Sequence, residues 1–311
     1  MGAEGQKVAP PARGGAPRRR AFTRLLWHVN RTPLRWGVKG GLSLLRWREK
    51  LERRRLGRRS AIDPMVAARA GQLRTEGYAV VDELVDRDVL EALARDADEK
   101  LGCVDELERQ QRQSHKGFWV SLLDGKTHEA FSSDSVYVRF ALQPRVVQLV
   151  TAVLGELPLL SYVLLTLSRE GRQSLSYSQL WHRDHDDVRV LKLFTYLTDV
   201  LDDGDGPFTF LPGPASGTLG FTVRSHVPDT RVFSRIDASS VRVMKAPRLT
   251  TFVVETSRCF HMGSRMAPGR RRLMYTATFL TAPPMFLRNA PCFSLVGPDD
   301  RRTRLLLGLP A

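Results

Sequence analysis

The sequence predicts a mainly β protein with α-helices (class α+β), in which the strands form a jelly roll, or double-stranded β-helix, and N-terminal helices pack on one sheet. Three observations predict this fold. The 311 residues are 42% hydrophobic, which is enough apolar material for a large core. Before Gly155, apolar residues follow helical spacing. After Gly155, they fall into short runs separated by turn residues.

The part of the chain before Gly155 predicts three helices and one short strand. Asp86 is a typical helix N-cap, and Gly155 is a typical helix terminator. A glycine turn at Gly77 precedes a short apolar run, which predicts a strand. The elements in order are a helix over 65–75, a strand over 77–81, a helix over 87–101 and a helix over 145–154.

The part after Gly155 predicts the sheets. Turn-forming residues interrupt it at 171, 202–206, 212–214 and 267–269. The β-rich runs between them cover 159–168, 176–181, 190–198, 207–211, 241–243, 250–254 and 273–280. Seven or eight strands with long irregular connections are typical of a double-sheet barrel or jelly roll.

Positive charge is concentrated at the start of the chain. Residues 1–60 contain 17 Lys or Arg residues and three acidic residues, so they carry +14 of the formal net charge of +15. The low apolar content of 1–20 predicts disorder, whereas 42–56 is predicted to be helical. We therefore divide the chain into a basic arm (1–60), a jelly-roll body (61–290) and a C-terminal tail (291–311).

The basic arm has two interpretations. Trp27, Trp36 and Trp47 are interleaved with arginines, a pattern typical of a segment that lies on an anionic membrane surface. Alternatively, the apolar residues of the arm dock on the body while its arginines stay in solvent. Nucleic acid is disfavoured as a partner, because no recognised nucleic-acid-binding module follows the arm.

The composition predicts a cytoplasmic protein, with peripheral membrane contact through the arm as its alternative. No run of about 18 apolar residues is present that could span a bilayer. The three cysteines, Cys103, Cys259 and Cys292, are an odd number without a CxxC spacing. They therefore fit a reducing compartment better than a disulfide framework or a structural zinc site, and Cys259 is expected to be a buried small hydrophobe.

The candidate chemistry lies in two segments that contain histidine. His182 and Asp184 are two residues apart at the end of a predicted strand, so both side chains would point to the same side of an extended backbone. His261 follows the apolar run that ends at 254. Two histidines and one carboxylate on one face of a metal are the ligand set of non-haem Fe(II) oxygenases. His185 and Asp187 form a second HxD pair, which is the alternative ligand pair.

Four segments together resemble the phytanoyl-CoA dioxygenase family, a branch of the Fe(II)/2-oxoglutarate oxygenases with a cupin-like jelly roll. The segments are Glu76-Gly77-Tyr78-Ala79-Val80-Val81, Trp181-His182-Arg183-Asp184, 193–200 with Gly206-Pro207-Phe208 and Leu211-Pro212-Gly213, and His261-Met262-Gly263-Ser264 through Arg272. They cover about residues 70–285. The sequence departs from the family at Pro212-Gly213-Pro214-Ala215-Ser216, where the family has serine directly after Pro-Gly, so the family's substrates are a weaker guide.

The resemblance implies roles for individual residues. His182, Asp184 and His261 would bind Fe(II), with O₂ as a second cosubstrate. Arg272 would bind the distal carboxylate of 2-oxoglutarate, and Arg270, which shares its side of an extended chain, competes for this role. Further 2-oxoglutarate contacts are implied on the flanking strands, at Gln179 and Thr195, with Tyr177 and Lys192 as neighbouring candidates.

These residues predict an Fe(II)- and 2-oxoglutarate-dependent dioxygenase that hydroxylates a small-molecule or lipid-like substrate. The alternative is a non-catalytic jelly-roll protein that its basic arm tethers to an anionic membrane or another acidic partner. A metal-dependent lyase or isomerase on the same scaffold is a third interpretation. Substrate specificity is expected in the loops at 102–135 and 222–240, whose sequences carry no readable code.

Overall fold

The computed structural model describes residues 28–58, 61–103, 118–123, 131–170, 175–220, 226–285, 293–298 and 300–310. The strands within these ranges are β1 (Tyr78–Val80), β2 (Trp119–Ser121), β3 (Leu159–Arg169), β4 (Val190–Tyr196), β5 (Phe208–Phe210), β6 (Arg242–Met244), β7 (Thr251–Glu255), β8 (His261–Met262) and β9 (Arg271–Leu280). The helices are α1 (Arg35–Leu45), α2 (Trp47–Gly57), α3 (Pro64–Glu76), α4 (Arg87–Gly102), α5 (Val136–Ala141), α6 (Pro144–Leu154), α7 (Gly213–Thr218), α8 (Asp229–Phe233) and α9 (Arg301–Leu307).

The strands form two antiparallel sheets, which are the two layers of a jelly roll. The large sheet has the strand order β1-β7-β4-β9-β3-β2, and the small sheet has the order β6-β5-β8. The longest pairing joins β3 and β9, from Leu159 opposite Leu280 to Arg169 opposite Arg271. The predicted fold class is therefore confirmed.

The large sheet has two different faces because side chains alternate along each strand. On β4, Leu191 and Leu193 pack in the main core together with residues of α3, α4 and α6. Phe194 and Tyr196 point to the other face and pack against Phe208 of the small sheet. Helices thus cover one face of the large sheet, and the small sheet covers the other.

The helices predicted at 65–75, 87–101 and 145–154 correspond to α3, α4 and α6, with bounds within one residue of the prediction, whereas α5 was not predicted. Asp63 and Asp86 cap α3 and α4 by accepting hydrogen bonds from backbone N–H groups of the first turn. Gly77 and Gly155 follow α3 and α6 with φ angles of 85° and 78°, which lie in the left-handed region that favours glycine. These capping residues set where α3, α4 and α6 begin or end.

Two predicted elements differ from the structure. Segment 176–181, predicted as a strand, contains a 3₁₀ turn at Tyr177–Gln179. The turn is held by local hydrogen bonds, since the Ser176 N–H donates to Gln179 Oε1 at 3.2 Å. Segment 42–56, predicted as one helix, is divided between α1 and α2, because the backbone leaves helical dihedral angles at Arg46 (φ −116°, ψ 32°).

Several expectations concern residues outside the described ranges. They include the predicted disorder of 1–20, the contacts of Trp27, and Cys292. The same holds for 104–117, 124–130 and 221–225 in the two loops where specificity was expected. In the part of the chain that is described, no helix combines the length and apolar character needed to cross a bilayer.

The described part of the arm, residues 28–58, docks on the body through cationic side chains. The buried Lys39 places its ammonium 2.7 Å from Oδ2 of the fully buried Asp187. Lys50 forms an ion pair with Glu156, which is 2% exposed. Arg53, also 2% exposed, donates hydrogen bonds to three backbone carbonyl groups outside the arm. Two of these cations therefore neutralise acids that the body buries, and the third satisfies buried carbonyl oxygens.

The side chains of the arm are distributed differently from the docking interpretation of the sequence. The sequence suggested apolar residues against the body and arginines in solvent. Val38 and Leu42 do pack on the body, but Trp36 and Trp47 are 52% and 53% exposed. The docked surface of the arm is thus largely charged, whereas much of its apolar surface faces outwards.

The ion pair between Lys39 and Asp187 predicts a large effect on stability. Lys39→Met should lower the free energy of unfolding by about 3–5 kcal/mol, because it leaves the Asp187 carboxylate buried without its cation. Urea unfolding followed by circular dichroism measures this change. Arg87→Met is the control, since it removes an exposed ion pair with Glu91 and should cost less than about 1 kcal/mol. A Lys39→Met variant as stable as the wild type would contradict the assignment of this pair as the anchor of the arm.

Candidate metal centre and adjoining cavity

His182 and His261 lie directly opposite each other on two adjacent backbone segments. Their backbones exchange two hydrogen bonds of 2.9 Å, which is the pattern of a hydrogen-bonded antiparallel pair. Residues paired in this way point their side chains to the same face, and the two imidazole ring centres are 4.2 Å apart. The backbone pairing therefore sets the separation of the two rings.

Asp184 joins the histidines because it lies two residues after His182. Its N–H donates a hydrogen bond of 3.0 Å to the carbonyl oxygen of Thr256, which holds the segment against the strand end of β7. Oδ2 of Asp184 is 3.8 Å from Nε2 of His261. One ligand atom from each of the three residues lies within 4.8 Å of the other two. The structure thus brings His182, Asp184 and His261 to one point.

Both imidazole rings are oriented through Nδ1. Nδ1 of His182 is 2.9 Å from the carbonyl oxygen of Leu180, and Nδ1 of His261 is 3.0 Å from that of Cys259. A carbonyl oxygen only accepts hydrogen bonds, so Nδ1 carries the proton and Nε2 keeps a free lone pair. Burial lowers the pKa of both rings, and the nearby His261 helps to lower that of His182 to about 3. Both imidazoles are therefore neutral at pH 7 and available as ligands.

Asp184 is ionised although it is buried. Burial alone raises the pKa of its carboxyl group, but the ammonium of Lys192, together with His261 and His182, brings the pKa below its usual value. Nζ of Lys192 lies 2.8 Å from Oδ2 of Asp184. Apart from this ammonium, the buried Oδ2 atom has no hydrogen-bond partner among the described residues. The carboxylate therefore has an oxygen atom available to a metal ion.

The three donors fit a divalent transition metal. Two imidazole nitrogens and one carboxylate oxygen on one side of a metal form the facial triad that suits Fe(II), and this set leaves further coordination positions open. Cys259 is not part of the set. Its thiol faces the carbonyl oxygen of Gly77 at 3.6 Å, and burial raises the pKa of the thiol to about 12.

A cavity of about 140 Å³ lies beside the histidines, between the two sheets. Its walls include alternate residues of β3, β4 and β9, the strands at the centre of the large sheet. The lining residues that matter for chemistry are His182, His261, Lys192, Phe194, Phe208 and Arg272. The cavity thus joins the two histidines of the candidate metal group to two cationic side chains.

Arg272 is a buried cation in this cavity. It is 2% exposed, and its guanidinium donates a hydrogen bond of 2.9 Å to Ser264 Oγ and another to the carbonyl oxygen of Gly206. Its Nε atom is buried without a hydrogen-bond partner, and none of the carboxylates in the described ranges pairs with it. A buried guanidinium without a counter-charge is costly, so this arrangement favours an anionic ligand in the cavity.

Arg270, the competing candidate for the same role, lies outside the cavity. It precedes β9, and its side chain is 55% exposed. Its guanidinium pairs with Asp202 and Asp205, which lie between β4 and β5. Arg271 is also exposed. Of the three consecutive arginines, the structure therefore brings Arg272 to the cavity.

Thr195 and Gln179, the other two residues assigned to the cosubstrate, do not line the cavity. Thr195 is on the opposite face of β4 from Lys192, and its hydroxyl group is 3.1 Å from that of Thr251. The structure therefore does not bring Thr195 to the cavity, and Lys192 is the polar β4 residue that lines it. Gln179 is buried, and its Nε2 donates a hydrogen bond of 3.0 Å to the carbonyl oxygen of Ser264. It supports a residue that binds Arg272.

The second HxD pair anchors the arm. The carboxylate of Asp187 is engaged by Lys39 and by the hydroxyl group of Thr281, which donates a hydrogen bond of 2.5 Å. Burial, together with the nearby Arg31, lowers the pKa of His185 to about 3. In the described ranges, neither His185 nor Asp187 belongs to a group that could hold a metal. Of the two pairs, His182 and Asp184 are the ones that lie beside His261.

His226 is a residue near the site that the sequence did not single out. Its ring centre is 5.4 Å from that of His182 and 6.3 Å from that of Tyr177. The sequence indicated only the 222–240 loop that contains His226, because specificity residues were expected there. Its proximity to His182 makes it a candidate substrate contact.

Comparison with known proteins identifies similar backbones but no matching family. No protein-family model matches the chain, and no curated protein matches it. The epimerase SnoN, solved with Fe3+, alpha ketoglutarate and nogalamycin RO, is 18% identical over 71% of this chain and 86% of its own, with a TM-score of 0.49. EctD from S. alaskensis, solved with 2-oxoglutarate and 5-hydroxyectoine, is 17% identical over 71% and 84%, with a TM-score of 0.48. HygX from Streptomyces hygroscopicus, solved with nickel and 2-oxoglutarate, is 14% identical over 72% and 89%, with a TM-score of 0.46.

Proposed function

We propose that this protein is an Fe(II)- and 2-oxoglutarate-dependent dioxygenase, of the phytanoyl-CoA dioxygenase type, that hydroxylates a small-molecule or lipid-like substrate. One observation carries the proposal. The histidines of a metal-compatible His182, Asp184 and His261 group and the buried Arg272, which has no carboxylate partner in the described ranges, line one cavity. A metal site and a separate cation in one small cavity are what an enzyme needs to bind a metal-chelating dicarboxylate.

The three ligands would hold Fe(II) through Nε2 of each histidine and a carboxylate oxygen of Asp184. The backbone carbonyl groups that accept from Nδ1 keep each Nε2 aimed at the metal, and neutral rings need no deprotonation at pH 7. When bound, the iron would supply the activation of O₂ and the oxidative decarboxylation of 2-oxoglutarate to succinate and CO₂. Asp184 occupies the carboxylate position, so that position is not open to a halide, and hydroxylation is favoured over halogenation.

The two cations would divide the work of binding 2-oxoglutarate. Arg272 would take the distal carboxylate, because a planar guanidinium can donate two parallel hydrogen bonds to a carboxylate. Lys192, 2.8 Å from Asp184, would face the end of the cosubstrate nearest the metal. This arrangement would set the direction of the dicarboxylate in the cavity.

The apolar walls of the cavity would limit access of water to the reacting groups. Phe194 and Phe208 lie with ring centres 4.8 Å apart, and the Phe208 ring is stacked on that of His261 at 5.3 Å. A volume of about 140 Å³ is below the roughly 300 Å³ at which pockets for drug-sized ligands begin. We therefore place the cosubstrate inside the cavity and the substrate at its mouth, near Tyr177 and His226.

The residues that line the cavity and an assay of 2-oxoglutarate turnover separate the alternative functions from this proposal. A non-catalytic jelly roll has no need for a buried, uncompensated Arg272 beside a metal-compatible group. A lyase or isomerase that used the metal alone would not consume 2-oxoglutarate. Formation of succinate from 2-oxoglutarate therefore separates the proposed function from both alternatives.

Purified protein should bind one Fe(II) per chain and convert 2-oxoglutarate into succinate in the presence of O₂. Iron content by mass spectrometry and succinate by chromatography measure the two quantities, and a chelator should abolish both. Iron binding without succinate in the presence of cell metabolite extract would favour the lyase or isomerase. Failure to bind iron would favour the non-catalytic protein. Metabolites that differ between cells with the intact chain and cells with His182→Ala would then identify the substrate.

A further inference from the structure

Six exposed apolar residues lie on α1 and α2 or directly before α1. Each is between 40% and 80% exposed, and together we call them the outer apolar face: Leu34, Trp36, Leu44, Leu45, Trp47 and Leu51. Exposed large apolar side chains in a cluster, two of them tryptophans, are unusual on a protein surface and mark an interaction site.

The docking of the arm explains why this face points outwards. On α2, the buried Arg53 and the ion-paired Lys50 turn towards the body. Trp47 and Leu51 are one helical turn apart on α2 and are 53% and 40% exposed. Val38, Leu42 and Leu56 pack on the body, whereas the six residues of the outer apolar face stay exposed among the described residues.

Exposed arginines accompany the outer apolar face. Arg54, Arg55 and Arg58 follow Trp47 and Leu51 at the spacing of one helical face, and all three are exposed. Arg48 is also exposed, with its guanidinium 5.5 Å from the centre of the Trp47 ring.

The two acids of α2 do not cancel this charge. Glu49 pairs with Arg53 and lies near Arg46. Glu52 pairs with Arg301 of α9. The outer side of the arm therefore combines apolar side chains with a positive charge that no ion pair in the described ranges neutralises.

We propose that the outer apolar face, with the arginines beside it, docks the protein on an anionic lipid bilayer. Tryptophan and leucine side chains would enter the region between headgroups and acyl chains, and the arginines would pair with lipid phosphate and carboxylate groups. The positive charge of the arginines favours an anionic partner, and the exposed apolar residues favour a partner with an accessible hydrocarbon layer. An anionic bilayer has both properties, whereas a polyanion such as RNA has only the negative charge.

The shape of α1 fits such a surface better than it fits a protein groove. Gly37, Gly40 and Gly41 lie on the outer side among the exposed leucines, and a Cβ atom added at any of them would meet nothing within 4 Å. The face is therefore open and shallow. It would lie on the headgroup layer, with the catalytic body attached through Lys39, Lys50 and Arg53.

The test compares full-length variants in vesicle co-sedimentation. The probes are vesicles of phosphatidylcholine alone and of phosphatidylcholine with phosphatidylserine. Leu44→Glu with Leu45→Glu removes the apolar contribution, and Arg54→Gln with Arg55→Gln removes part of the charge. The matched controls are Leu201→Glu, at a leucine of the body that is 61% exposed, and Arg87→Gln with Arg95→Gln on α4. The altered side chains are all exposed, so thermal melting should show that each variant folds.

We expect the wild type to bind the anionic vesicles and to bind phosphatidylcholine at least about tenfold more weakly. Each arm variant should lose about tenfold or more in affinity for the anionic vesicles, and the controls should not. Binding of the wild type should weaken as salt is raised from low ionic strength.

Three results would overturn the proposal. The first is no binding of the wild type to anionic vesicles. The second is binding that depends on the arginines but is unchanged in the leucine variant, which would indicate a general polyanion site. The third is a dimer in light scattering that Leu44→Glu with Leu45→Glu converts to a monomer, which would show that a second copy of the chain covers the face.

Discussion

His182→Ala is expected to abolish both iron binding and succinate formation. The substitution removes one of the three donors. The remaining carboxylate and imidazole would fill only two coordination positions of the metal. Even residues that only orient a metal ligand are typically worth about 10–100-fold in affinity, so we expect a loss of more than about 100-fold here. His261→Ala should behave in the same way, because the two rings occupy equivalent places in one antiparallel pair.

His185→Ala is the matched control for this prediction. It removes an imidazole from the same segment, only three residues away, but this ring lies apart from the metal-compatible group. Iron stoichiometry and succinate formation should stay close to wild type. Melting temperatures with and without Fe(II) provide a second readout, since iron should stabilise the wild type and His185→Ala but not His182→Ala. An inactive His185→Ala beside an active His182→Ala would transfer the ligand role to the second HxD pair.

The local part of the site could be predicted from the sequence, and the long-range part could not. His182 and Asp184 share a direction because side chains alternate with a period of two, which is a property of the backbone alone. The pairing of His182 with His261 joins residues 79 positions apart, and no local pattern encodes it. His261 was selected because two histidines and one carboxylate suit Fe(II), and the family resemblance supported that choice.

The position of Thr195 away from the cavity could not be predicted for a similar reason. The residues of β4 are Val190-Leu191-Lys192-Leu193-Phe194-Thr195-Tyr196, and nearly all of them are buried because helices cover one face and the small sheet covers the other. Where both faces of a strand are buried, hydrophobic alternation does not tell which residues face a cavity. The choice between Lys192 and Thr195 therefore depended on the packing of the two layers.

The basic arm shows which structural features composition can predict and which it cannot. The charge of residues 1–60 predicts a segment distinct from the nearly neutral remainder of the chain. It did not indicate that Lys39 pairs with Asp187, because the two residues are 148 positions apart and each belongs to a charge-rich stretch. Burial of individual charges depends on partners brought together by the fold, so a positive net charge does not show which cations face solvent.

Arg272→Ala is expected to raise the concentration of 2-oxoglutarate needed for half-maximal turnover by one to several orders of magnitude, while iron binding is retained. A charge-assisted hydrogen bond is worth about 1.5–3 kcal/mol, and loss of a bidentate pair in a buried site should exceed the roughly tenfold change that 1.4 kcal/mol represents. Arg272 contacts Ser264 and the carbonyl oxygen of Gly206 but none of the three metal ligands, so the metal site should remain intact.

The neighbouring arginine provides the control that separates this role from a structural one. Arg270→Ala removes an exposed guanidinium that pairs with Asp202 and Asp205, and it should leave the 2-oxoglutarate requirement unchanged. Arg272→Lys keeps the charge but not the planar pair of donors, so it should recover part of the affinity. Titration of succinate formation with 2-oxoglutarate at saturating iron measures all three variants. If Arg272→Ala kept wild-type affinity and Arg270→Ala lost it, the carboxylate site would lie two residues upstream. If Arg272→Ala lost iron and 2-oxoglutarate together, Arg272 would support the fold of the cavity instead of binding the cosubstrate.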